Sequence, residues 1–156
     1  MALQHPVSML LVLVLLYGNV QFANGLYLKK DIEYDAYLSL MTRVVNRVEE
    51  EDTYIPGETP VVFVGLPKVL KEVEPGFKDY WDITGMGKTD VIYTAQRSYY
   101  RAYVDYVLGL SMVLAEEEVW DGILQLDEIR QMPCYPSKDC VARYGDVLVV
   151  KLGNYY

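Results

Sequence analysis

Hydrophobic and polar positions divide this chain into two unequal parts. Val7–Leu16 consists of Val, Leu and Met, interrupted only by Ser8. A neutral run continues through Tyr17, Gly18, Val20, Phe22 and Ala23 to Leu28. All 22 acidic and all 14 basic side chains come after Leu28. As a helix rising about 1.5 Å per residue, Pro6–Leu28 is about 34 Å long, enough to cross a hydrocarbon layer of about 30 Å. The expected organisation is a membrane helix (or signal-like segment) in residues 1–28 and a soluble α/β domain in residues 29–156.

A cleaved signal competes with the membrane helix. Val7–Tyr17 has a signal-like length, and Ala23-Asn24-Gly25 offers small residues at a cleavage spacing. Against this, Met1–Pro6 contains no Lys or Arg, and signal peptides normally begin positively charged. The helical pattern also continues past the apolar run. The uncleaved helix is the reading adopted; a signal peptide and a buried core helix are the alternatives. Lys29 and Lys30 favour a cytoplasmic tail by the positive-inside rule. The cysteine pair discussed below favours an exported one, and an extracytoplasmic domain on the cytoplasmic membrane is the expectation.

Past the apolar run, Tyr34, Leu38, Met41, Val45 and Val48 recur at helical spacing, with Tyr37, Leu40 and Val44 widening the stripe. This predicts a helix over residues 31–51 that continues the membrane segment. Arg43, Arg47, Glu49 and Glu50 lie mostly off the stripe. Pro56-Gly57 marks a turn. Pro60-Val61-Val62-Phe63-Val64-Gly65 reads as a buried, parallel strand. Residues 77–89 read as an aromatic loop. A helix is expected over residues 90–110, capped by Thr89 or Asp90 and ended by Gly109. Its apolar face includes Tyr99, Ala102, Tyr103, Tyr106 and Leu110.

Ser111–Ala115 reads as a second strand and residues 116–132 as a third helix, with Glu116–Glu118 at its dipole-favoured start. Cys140–Arg143 and Val147–Leu152 flank Tyr144-Gly145-Asp146 as a hairpin. Val61–Val64 and Val147–Leu152 are apolar on both faces, so they should be neighbouring central strands. The fold class predicted is α/β: a small three-layer domain with a mostly parallel sheet and a C-terminal hairpin, preceded by one transmembrane helix.

Composition narrows the chemistry. The chain is 52% hydrophobic, which excludes disorder. A net charge of −8 disfavours nucleic acid as a partner. There is one histidine, in the apolar leader, and two cysteines, so no His/Cys zinc site is expected in the soluble part. No cofactor, metal ligand or catalytic residue is assigned. Fifteen tyrosines suit half-buried faces first, then sugar platforms and membrane interfaces.

Gly87-Lys88-Thr89 resembles the end of a phosphate loop, but Asp82 stands where that motif needs glycine. Asp79, Asp82 and Asp90 could serve sugar chemistry as paired carboxylates, although loop aspartates usually make turns and caps. Tyr80, Trp81, Asp82 and Lys88 combine an aromatic face with polar groups and are the candidate carbohydrate contacts. Cys134 and Cys140 are a candidate disulfide in an oxidising compartment, worth at most roughly 2.4 kcal/mol. Tyr93 and Tyr100, seven apart, could share a second face that meets a partner.

Several stretches together resemble one family. They are Phe22–Leu28 leading into Asp31-Ile32-Glu33-Tyr34-Asp35, Pro60–Gly65, Tyr80-Trp81-Asp82-Ile83-Thr84, Met132-Pro133-Cys134-Tyr135-Pro136 and Asp146–Leu152. From about Val7 onward the chain resembles the C-terminal region of the Gtr type II family of bacterial membrane glucosyltransferases, of the serotype-converting type. The resemblance implies transfer of glucose from a polyprenyl-phosphate carrier to a cell-envelope glycan such as O-antigen, outside the cytoplasmic membrane. Such enzymes have many spans, whereas this chain has at most one, and the acidic residues expected in their N-terminal loops have no counterpart. The chain then corresponds to the last span and terminal domain, truncated and not catalytic alone. Membrane lipid is its expected partner, with glycan or donor engaged through the full-length enzyme. The alternative is a secreted or membrane-anchored binding module with no role in glycosyl transfer.

Overall fold

The computed structural model describes residues 4–66 and 97–154. One helix, α1 (Gln4–Glu49), carries both the apolar segment and the amphipathic stretch after it. Neither Gly nor Pro occurs between Leu26 and Glu49, so nothing in that stretch disfavours a continuous helix. Every residue from Pro6 to Phe22 is exposed around the whole circumference. The helix is long and apolar enough to cross a membrane. Apolar exposure of this kind is favourable only where lipid or another apolar surface replaces water.

The second half of α1 belongs to the domain. Tyr37, Leu40, Met41, Val44, Val45 and Val48 are buried. This face is rotated slightly from the expected stripe, because Tyr34 stays 42% exposed and Leu38 half-buried.

The sheet is small and mixed. Strand β1 (Val61–Val64) pairs in parallel with β3 (Val147–Lys151), with Val62 opposite Val149. Strand β2 (Val141–Tyr144) pairs antiparallel with β3, with Tyr144 opposite Val147 across the Gly145-Asp146 turn. Gly145 takes a positive φ of 60° in that turn, as short hairpin loops require. The order is β1-β3-β2. The expected adjacency of β1 and β3 and the C-terminal hairpin are therefore both present. Leu114 adds one parallel bridge to Val61 on the other side of β1, so Ser111–Ala115 contributes a single bridge where a strand was expected. Among the described residues the named strands form one parallel and one antiparallel pair.

Helix α2 (Arg97–Ala102) continues into a π-helical stretch, Tyr103–Leu108. It ends at Gly109, in the left-handed conformation, whose N–H donates to the Val104 carbonyl. The expected apolar face of this helix needs correcting. Tyr100, Tyr103 and Val104 are buried, whereas Tyr99 and Ala102 are exposed and Tyr106 is 88% exposed. The reason is Tyr100, whose ring stacks on Phe63 at 4.9 Å and whose hydroxyl donates to the Gly65 carbonyl. With Tyr100 turned inward, Tyr103, Val104 and Val107 complete the inner stripe at helical spacing. Tyr100 is thus a core residue and not part of a partner-facing surface.

The single helix expected over residues 116–132 is two: α3 (Glu117–Leu124) and α4 (Asp127–Gln131), separated by an extended Leu126. Trp120 and Ile123 of α3 and Ile129 of α4 are all buried. On one straight helix, with about 100° per residue, Ile129 would point roughly opposite to Trp120. The break lets both reach the core, where Trp120 lies 6.1 Å from the Tyr100 ring.

Candidate functional site

In open α/β sheets ligands bind outside the carboxyl ends of parallel strands, so the ends of β1 and β3 are the first place to look. Here the two strands are brought unusually close by glycines. A Cβ on Gly65, whose φ is +75°, would stand 2.0 Å from the Gly153 carbonyl oxygen. A Cβ on Gly153 would stand 2.2 Å from the Leu66 carbonyl oxygen. Neither position accepts any larger residue without moving the backbone. The Leu152 N–H donates to the Val64 carbonyl at 2.8 Å and holds the two ends together.

Tyr100 closes this edge from α2. Burial, followed by the neighbouring Tyr37, pushes its phenol well above the ordinary tyrosine range. It acts as a neutral hydrogen-bond donor to Gly65 and does not serve as a base. At the end of β3, Asn154 Oδ1 lies 3.5 Å from the Cys134 thiol. The edge thus offers backbone carbonyls, a phenol, an amide and a thiol. The phenol is already committed to the Gly65 carbonyl and the thiol to Asn154, and the set contains no general acid and base pair.

A second polar cluster ties the hairpin entry to α1. Arg47 donates to the carbonyls of Pro136 and Ser137 at 3.0 and 2.7 Å and lies 5.3 Å above the Tyr135 ring. The same guanidinium group is 3.6 Å from Cys140 Sγ. Both cysteines are thiols, Cys134 half-buried and Cys140 buried, each with its own partner. Lys151, buried in β3, donates from Nζ to the carbonyls of Arg130 and Met132 at 2.7 and 2.8 Å. The ammonium thereby satisfies carbonyls at the end of α4, where a positive charge also suits the helix dipole.

Glu116, Glu117, Glu118 and Asp121 line a shallow concavity at the start of α3. All four are exposed. Arg97 lies 3.8 Å from Glu116 and donates to the carbonyls of Ala115 and Leu114. Among the described residues no group of three His, Cys, Asp or Glu side chains could hold a metal ion.

No family model, no curated protein and no solved structure matches the chain. The candidate carbohydrate contacts Tyr80, Trp81, Asp82 and Lys88 lie outside the described residues, as do the Gly87-Lys88-Thr89 motif, Asp79, Asp90 and Tyr93. Of the expected site residues, Cys134 and Cys140 are described, and the structure gives each a separate environment. Sequence reasoning missed Arg47, Lys151 and Tyr100. Arg47 sits off the apolar stripe, and Lys151 lies inside the expected strand Val147–Leu152, where nothing local assigns its ammonium a partner. Only Tyr100 had a signal, because Tyr100, Tyr103, Val104 and Val107 form a helical stripe of their own.

Proposed function

We propose that this chain is the membrane-anchored C-terminal portion of a glucosyltransferase, holding an α/β domain against the bilayer while glucose passes from a lipid-phosphate donor to a cell-envelope glycan. The observation that carries the anchoring is α1, one helix running from a fully exposed apolar segment into the domain core. The sugar chemistry comes from the family resemblance. The domain is read as extracytoplasmic, three-layered and built on a mostly parallel sheet. The β1–β3 pair and the parallel Leu114 bridge support the sheet reading. The chain is read as non-catalytic alone, because transfer from a lipid phosphate needs a base and a group that stabilises the departing phosphate. The expected contact with glycan is through Tyr80, Trp81, Asp82 and Lys88.

The test uses membranes that contain the full chain, labelled polyprenyl-phosphate glucose and envelope glycan. Saturable binding of glycan or donor without turnover supports the reading. Turnover that vanishes in Asp82→Asn makes the chain an enzyme in its own right. No binding of either ligand favours the alternative, a membrane-anchored interaction module unrelated to glycosyl transfer.

A further inference from the structure

Helical geometry sets two polar side chains of the apolar segment, Ser8 and Asn19, on one face of α1. They are eleven positions apart, which at about 100° per residue is three turns plus about 20°. Val12 and Leu15 lie between them and Phe22 follows, so Ser8, Val12, Leu15, Asn19 and Phe22 recur at spacings of four, three, four and three. That is the seam spacing of paired helices. All five side chains are exposed, and the rest of the chain covers none of the most apolar window of α1.

Asn19 stands near the middle of the span. Tyr17 is the midpoint of Pro6–Leu28, and Asn19 lies two positions past it, about 3 Å along the axis. Leu28 is nine positions further on, about 13 Å, well beyond the reach of a short carboxamide side chain. Asn19 Nδ2 donates to the Leu15 carbonyl at 2.8 Å. That bond uses one of the two amide N–H groups and leaves the second N–H and the Oδ1 acceptor to find partners. Hydrocarbon supplies none, and a carboxamide placed there costs free energy that a hydrogen bond recovers. Gln21 lies nearly opposite, about 200° around the helix, and is two positions nearer Leu28 with a longer side chain.

The partner follows from insertion. Each copy of one segment enters a bilayer with the orientation its flanking charges set, so α1 of a second copy runs parallel and presents the same face at the same depth. A carboxamide is both donor and acceptor, and is therefore complementary to itself across a two-fold axis. We propose that α1 pairs with α1 of a second copy along the Ser8–Phe22 face, with Asn19 hydrogen-bonded to the partner's Asn19 near mid-membrane. The pairing rests on α1 spanning the membrane, as read above. It sets two domains side by side on one bilayer surface.

The full-length chain, reconstituted into phosphatidylcholine vesicles at graded densities, tests the pairing. Vesicle flotation after carbonate washing reads insertion, and energy transfer between donor- and acceptor-labelled chains reads association. The wild-type chain is expected to associate, and Asn19→Leu to weaken association about three- to thirty-fold. Asn19→Gln and Gln21→Leu are expected to stay within about two-fold of the wild type. Both leucine variants make the segment more apolar, so insertion is retained. Oxidation with copper phenanthroline should join Val12→Cys and Leu15→Cys chains into dimers above the wild-type background, and leave Leu10→Cys and Leu13→Cys, on the opposite face, at that background. An inserted wild-type chain that stays monomeric at every density overturns the pairing, leaves the anchor standing and gives the Asn19 face to lipid or to a different membrane helix. Association unchanged in Asn19→Leu, or lost in Gln21→Leu instead, overturns the role of Asn19. Cross-linking equal on both faces overturns the Ser8–Phe22 interface. A chain that does not float with the vesicles overturns the anchor and the pairing together.

Discussion

Arg47 and Ser137, ninety positions apart, are joined by a 2.7 Å hydrogen bond from the guanidinium to the backbone carbonyl. With the Pro136 carbonyl and the Tyr135 ring, Ser137 forms a cradle that locks the entry of the C-terminal hairpin onto the last turn of α1. The helix that carries the apolar segment is thereby fixed to the far end of the fold.

Arg47→Ala should destabilise the domain by about 1.5–3 kcal/mol, since two charge-assisted bonds and a cation–π contact are lost. Arg47→Lys should recover less than half of that, because an ammonium cannot reproduce the planar fork that meets two carbonyls and a ring. Thermal unfolding monitored by circular dichroism measures both. An Arg47→Lys protein as stable as the wild type would show that charge alone matters there.

Lys151 offers a sharper version of the same test. Lys151→Met keeps the buried stem and removes the two bonds to the Arg130 and Met132 carbonyls. The expected loss is at least about 2 kcal/mol, with α4 fraying first. Hydrogen exchange of the Ile129 and Met132 amides reads that fraying, and unchanged protection would contradict the structural role given to Lys151.

Tyr103 has a buried hydroxyl with no partner. Burial, followed by Tyr34, pushes its phenol up to about 12. The native state therefore holds this proton more tightly than the unfolded chain, whose tyrosines titrate near 10. Stability from this group is complete below about pH 10 and is lost as pH rises toward about 12, by roughly 2–3 kcal/mol. Tyr103→Phe should leave stability at pH 7 unchanged or slightly higher, because it removes an unsatisfied donor. It should also move alkaline unfolding to higher pH. A pH-stability curve identical to the wild type would show that Tyr103 does not govern the alkaline limb.

Much of this fold can be read from side-chain order. The Tyr37–Val48 stripe, the apolar runs Val61–Val64 and Val147–Val150 and the Gly109 stop each follow from local periodicity or backbone freedom. What stayed hidden depends on contacts between distant residues. The break at Leu126 exists because Trp120 and Ile129 need the same core. The inward turn of Tyr100 depends on Phe63 and a carbonyl at Gly65. Lys151 is buried because α4 ends within reach of its ammonium. Tyr100 lies 35 positions from Gly65, and Lys151 lies 21 and 19 positions from Arg130 and Met132. The loop bearing Tyr80, Trp81, Asp82 and Lys88 falls outside the described residues, so the sugar-contact expectation rests on composition and resemblance.

The cysteines can be examined chemically. In reduced native protein Cys134, half-buried, should alkylate well before Cys140, which is fully buried beneath Arg47. In material recovered from outside the cytoplasmic membrane the two are expected to be joined, and mass spectrometry after alkylation distinguishes the states. Two free thiols in exported protein would remove the staple from the account.

The central claim is that α1 stays on the protein and holds the domain at a bilayer. Carbonate extraction of bacterial membranes expressing the full chain, followed by N-terminal sequencing of the recovered protein, tests it most directly. The account predicts protein in the membrane pellet with its apolar segment intact. Soluble protein beginning near Leu26 would contradict it and establish residues 1–25 as a cleaved signal.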